Sequence, residues 1–79
     1  MPAAANSNAI PSYFVVMIDY GRKGREAIVD PEITRRGVIA RLVSREYRDV
    51  LFIHEIADGA ARDVTLELQL EASVMAEAA

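Results

Sequence analysis

The segment 13–18, Tyr-Phe-Val-Val-Met-Ile, constrains the fold of this chain more than any other. With its flanks it reads as a strand over 12–20, because its β-branched and aromatic side chains fit a pleated, half-buried surface. A strand cannot stand alone, because its backbone N–H and C=O groups need partners. The nearest candidate is 25–30, Arg-Glu-Ala-Ile-Val-Asp, reached across Gly21-Arg22-Lys23-Gly24. Four-residue connections are common in hairpins, and glycine takes positive φ without a Cβ penalty. This spacing predicts that Tyr20 pairs with Arg25, Ile18 with Ala27 and Val16 with Val29. One face would then carry Phe14, Val16, Ile18, Ala27 and Val29, and it is assigned to the core. The other would carry Tyr13, Val15, Met17 and Ile28.

Asp30-Pro31-Glu32 reads as a helix start, with Asp30 as cap, Pro31 in the first turn and Glu32 at the positive end of the dipole. Ile33, Ile39, Ala40, Val43 and Tyr47 fall on one side at helical spacing, with Arg41 and Arg45 opposite, which predicts a helix over about 31–46. Gly37 inside it costs about 1 kcal/mol relative to alanine, and close approach of helix to sheet is the expected reason. Residues 49–56 read as a third strand, stopped by Asp58-Gly59. Residues 64–71 alternate as a strand would, yet Leu, Glu, Gln and Ala favour a helix and 71–79 follows without a break. A helix from Asp63 is preferred; a strand over 62–70, hairpinned at Asp58-Gly59, is the alternative. As a helix the segment carries two apolar stripes, Val64/Leu68/Ala72/Met75/Ala79 and Leu66/Leu70/Val74, on opposite sides.

The expected architecture is therefore α+β, in the order β-β-α-β-α. Three antiparallel strands would lie in the order 2-1-3, with both helices on one face. Residues 1–11 are small and polar and are expected to form a disordered tail ahead of a single domain at 12–79.

A chain of 79 residues is close to the lower limit for an independent core,. It has no cysteine and one histidine, so disulfides and thiolate sites are absent and a zinc site is not expected,. The apolar run at 13–18 is far too short to span a membrane. The first residues lack the positive and apolar regions of a secretory signal, and a cytoplasmic location with no membrane association is expected.

Charge is unevenly distributed. Residues 20–48 hold eight cations against four anions, whereas 49–79 hold one cation against seven anions. Arg22, Lys23 and Arg25, extended by Arg35 and Arg36, could meet phosphates or a nucleic-acid backbone. The spacing is neither a P-loop nor G-x-G-x-x-G, and a strand rather than a helix N-terminus follows. A hairpin tip kept soluble by charge is the plainer reading, and the net charge of −3 argues against a general nucleic-acid binder,. Arg41, Arg45 and Arg48 would form a basic stripe, and pairing with Glu67 and Glu71 on the last helix is expected to offset it. His54 and Glu55 fall on opposite faces of a strand, so they do not form a pair for acid–base work.

No catalytic, cofactor-binding or metal-binding residue is expected. The leading expectation is a small non-enzymatic interaction or assembly module, homodimeric, alone or with a further protein partner. Tyr13, Val15, Met17, Ile28, Leu66, Leu70 and Val74 would form its interface. The alternative is an anion or nucleic-acid binder using the basic tip at 20–25. A third reading is a small regulatory subunit or antitoxin-like protein with the tail as a partner-binding arm.

Overall fold

A computed structural model describes residues 12–78. The tail expected over 1–11 lies outside the described residues. The elements are β1 (Tyr13–Asp19), a 3₁₀ turn (Gly21–Lys23), β2 (Arg25–Val29), α1 (Arg35–Val43), β3 (Val50–Ala57), β4 (Ala60–Asp63) and α2 (Thr65–Ala78). The sheet has four antiparallel strands in the order β2-β1-β3-β4, one strand more than the sequence suggested. The expected 2-1-3 order survives inside it. The added strand, Ala-Ala-Arg-Asp, has no β-branched residue and no room for alternation. It forms because Asp58 and Gly59 both take positive φ, at 53° and 76°. That is the conformation of a two-residue type I′ hairpin, and it sets Ala57 against Ala60,.

The β1–β2 register differs from expectation by one residue. Asp19 pairs with Arg25 and Val16 with Ile28, so the connection is the five residues 20–24. It closes through Tyr20 N–H to Gly24 O at 2.7 Å and Gly24 N–H to Gly21 O at 3.0 Å. A one-residue slip exchanges the faces of a strand. Ile28 therefore packs against the core, and Ala27 and Val29 take the open face. This corrects the placement of Ile28 among the outward-facing residues.

Helix α1 is shorter than the predicted 31–46. The Asp30 carboxylate accepts from Glu32 N–H at 3.0 Å, and Ile33 N–H bonds Asp30 O at 3.1 Å, so Asp30-Pro31 closes a turn rather than opening the helix,. The cap is Thr34, whose hydroxyl accepts from Gly37 N–H at 3.1 Å,. A Cβ at Gly37 would stand 2.8 Å from Ile33 Cγ1, so the close neighbour is the turn before the helix, not the sheet. The helix stops at Arg45, which takes the left-handed conformation at φ 68°,.

Helix α2 begins at Thr65, two residues after the predicted start. Thr65 joins three elements. Its N–H and hydroxyl donate to the Asp63 carboxylate at 2.9 and 2.5 Å, and its hydroxyl oxygen accepts from Ile53 N–H at 2.8 Å. β4 ends at Asp63; Val64 N–H still donates to Ile53 O at 2.9 Å, and the Thr65 hydroxyl supplies the acceptor for the N–H of buried Ile53.

Both helices lie on one side of the sheet. Phe14, Val16 and Ile18 of β1 and Ile53 of β3 meet Val38 and Ile39 of α1, Tyr47, Val64, and Leu68 and Ala72 of α2 in one cluster. Ile53, Leu68, Val16 and Val38 are its fully buried side chains. Replacing Thr65 with Val should leave Ile53 N–H unpaired and cost about 1–3 kcal/mol in urea denaturation, with Thr65→Ser close to wild type. Replacing Arg45 with Gly should raise stability by roughly 0.5–1 kcal/mol in the same assay, because the left-handed position no longer strains a Cβ.

Candidate functional site

Alternation along β1 sends Tyr13, Val15 and Met17 to the face away from the helices,. Their register partners there are Ile56, His54 and Phe52 of β3, and Ala27 and Val29 of β2 with Ala61 and Asp63 of β4 lie on the same face. The β1 and β3 members are half-buried, and Val29 is 51% exposed. Phe52 and His54 stack, with ring centroids 4.1 Å apart. This is a broad apolar surface edged by charge, with Asp19 opposite Arg25 at the tip-side end and Asp63 beside His54 at the β4 edge.

The second apolar surface runs along α2. Leu66, Leu70 and Val74 are 75%, 66% and 65% exposed, the highest values among the large apolar residues described. At 3.6 residues per turn they lie roughly opposite Val64, Leu68 and Ala72, which face the sheet,. The two apolar surfaces thus look outward from opposite sides of a two-layer molecule.

Of the seven residues expected at the interface, Tyr13, Val15 and Met17 lie together on the first surface and Leu66, Leu70 and Val74 on the second. Ile28 belongs to neither. Val29, Phe52, His54 and Ile56 join the first surface. Val29 was missed because its face depended on the loop length.

The basic residues are not gathered into one patch. Arg22 and Lys23 sit in the exposed 3₁₀ turn, and Arg25 opens β2 beside it. Among the described residues none of the three forms an ion pair. Arg35 and Arg36 begin α1, which the chain reaches only after running the length of β2 away from the tip. The Arg35 guanidinium donates to Glu67 at 2.9 Å and to Glu71. The expected pairing of α1 with the acids of α2 is therefore present, but Arg35 makes it rather than Arg41, Arg45 and Arg48. Arg41 instead donates to the Tyr47 hydroxyl at 3.0 Å and approaches Asp30 and Glu46. Arg62 of β4 reaches Glu55 at 3.1 Å and Glu67 at 3.5 Å.

A concavity of about 470 Å³ beside the tip is lined by Ile18, Asp19, Tyr20, Gly21, Glu46, Arg48 and Asp49. Three carboxylates against one guanidinium make it a poor seat for an anion. The single histidine faces Asp63 across the β3–β4 ladder, on an open surface rather than in a cleft, and that carboxylate is committed to Thr65. Among the described residues no cluster of three or more His, Asp or Glu could hold a metal ion, and no helix is long and apolar enough to cross a membrane.

Compared with known protein families, characterised proteins and solved structures, the chain matches none. The functional reading therefore stands on these surfaces alone.

Hydrogen bonds from Thr65 hold the Asp63 carboxyl below its usual range, and the Arg35 hydrogen bond does the same for Glu71. A carboxyl whose folded pKa is depressed stabilises the fold above its unfolded pKa, and this contribution is lost as pH falls toward the folded value. Urea midpoints should therefore drop as pH falls through about 4, the ordinary carboxylate range, and Glu71→Gln should flatten part of that drop.

Proposed function

We propose that this protein is a small non-enzymatic interaction module that works as a homodimer. One observation carries this reading: folding covers one side of the sheet and one side of α2, and leaves apolar surfaces on both outer sides. Contiguous apolar patches of several hundred Å² mark interaction sites on soluble proteins. A domain of this size also gains from sharing its apolar surface with another chain. The candidate contacts are Tyr13, Val15 and Met17 on the sheet and Leu66, Leu70 and Val74 on α2. A non-catalytic role fits a histidine stacked on an open surface and carboxylates engaged in structural pairs. The absence of cysteine suits a cytoplasmic setting,.

A second reading, an anion or nucleic-acid binder, draws support from Arg22, Lys23 and Arg25, which project from the tip with no ion-pair partner among the described residues. Against it stand the removal of Arg35 into the Glu67/Glu71 pair and the acidic lining of the adjoining concavity.

Sedimentation at micromolar concentrations should give twice the chain mass of 8.7 kDa. A chain that stays monomeric there would remove the homodimer. Titration with mixed-sequence DNA or RNA at low salt should show no binding sensitive to replacement of Arg22, Lys23 and Arg25 by alanine. Salt-dependent binding lost in that triple variant would favour the second reading.

A further inference from the structure

The two apolar surfaces look outward from opposite sides, so one twofold axis buries only one of them. Naming the surface that pairs with its own copy deepens the homodimer reading and rests on it. The outer ridge of α2 offers a second copy only like charge, since Glu67, Glu71 and Glu77 are the charged residues of that helix. The open sheet face differs. Its charges are of both signs and stand at opposite corners.

Register fixes those corners. Arg25 lies opposite Asp19 at the tip end of β2, and Asp63 lies opposite His54 on β4. Three strand spacings, roughly 14 Å, separate β2 from β4, and the four residues from Asp19 back to Val15, the partner of His54, span about 13 Å,. Arg25 and Asp63 are thus the ends of a diagonal across a nearly square face. Arg25 has no ion-pair partner among the described residues. Both Thr65 bonds to Asp63 fall on Oδ1, which leaves Oδ2 open to a guanidinium.

We propose that the homodimer seam is this sheet face, packed on the same face of a second copy, with Arg25 of each chain against Asp63 of the other. A twofold axis lying between the two faces exchanges these corners only if it runs along the other diagonal of the square. The strands of the two copies then cross at about 90°, one of the two ways in which sheets pack face to face. The axis passes between Met17 and Phe52, a register pair midway along the Arg25–Asp63 diagonal. Met17 and Phe52 of both copies therefore meet at the centre, with Val15, Ala27 and Val29 around them and Tyr13 at the rim. The overlapping faces measure roughly 20 Å on a side. Counted on both copies with side-chain relief, they reach the ~1,000 Å² that a specific interface needs. An apolar centre with opposite charges paired at the rim is the anatomy of such interfaces.

The chain has no cysteine, so introduced cysteines report the seam without background. Ala61 shares the open face with Asp63, two residues along β4, and replacing it spares the Asp63–Thr65 bonds. A mixture of Arg25→Cys and Ala61→Cys chains should cross-link through a short bis-maleimide. Either variant alone should not, because like positions stand about 20 Å or more apart in this arrangement. By sedimentation, Met17→Glu, with its folding checked by circular dichroism, should weaken dimerisation by more than about 30-fold, as burial of an unpaired charge at the centre of an interface does. Arg25→Glu should weaken it roughly tenfold at low salt and less at high salt. Leu70→Glu should leave the dimer intact. A dimer that survives both Met17→Glu and Arg25→Glu, dissociates with Leu70→Glu, or gives no mixed cross-link would overturn this seam while keeping the homodimer. A wild-type monomer would overturn both.

Discussion

Phe14, Val16 and Ile18 project from the central strand toward a single layer of helices, and nothing among the described residues covers Tyr13, Val15 and Met17 on the reverse. This one-sided packing governs the rest of the molecule. A strand between two others, with apolar side chains on both faces, must bury both or leave one available. The two helices lie side by side on the same face, joined by Arg35 to Glu67 and Glu71. Helix α2 is apolar on both sides, so whichever stripe faces the sheet leaves the other outside.

The contacts that fix this arrangement are mostly polar and local. Thr34 and Asp63 cap or anchor the helix starts, Asp58-Gly59 turns β3 into β4, and the Thr65 hydroxyl accepts from the Ile53 N–H. None contributes more than a few kcal/mol. Together they set the direction in which α2 leaves the sheet, and hence which stripe of leucines looks outward. The electrostatic asymmetry of the sequence has its physical counterpart here: the basic middle of the chain holds the acidic last helix through Arg35.

Elements whose side chains carry their own signal were legible in the sequence. The strand expected over 12–20, the adjoining hairpin, the third strand and two helices could all be read from composition and period, as could the 2-1-3 order. Three features could not. The register of the first hairpin depended on whether its loop held four residues or five, and periodicity is blind to that difference. The fourth strand is too short and alanine-rich to show a period, although Asp-Gly marked the turn before it. The first helix began later than Asp30-Pro31-Glu32 implied because the same residues also suit a tight turn. Of the interface residues, only Ile28 was placed on the wrong face, and the register slip is the whole reason. The partner of Glu67 and Glu71 was foreseen by charge and helix but not by residue, since the end of α1 that meets α2 depends on where the helix starts.

If a second copy covers apolar surface that one chain cannot hide, folding and association are coupled, and apparent stability depends on concentration. Thermal unfolding across a wide dilution series tests this directly. A melting temperature that climbs steadily with protein concentration is the expected result. A melting temperature that stays fixed across the series would show that a single chain is stable with its outer leucines and bare sheet face in water, and would contradict the central claim.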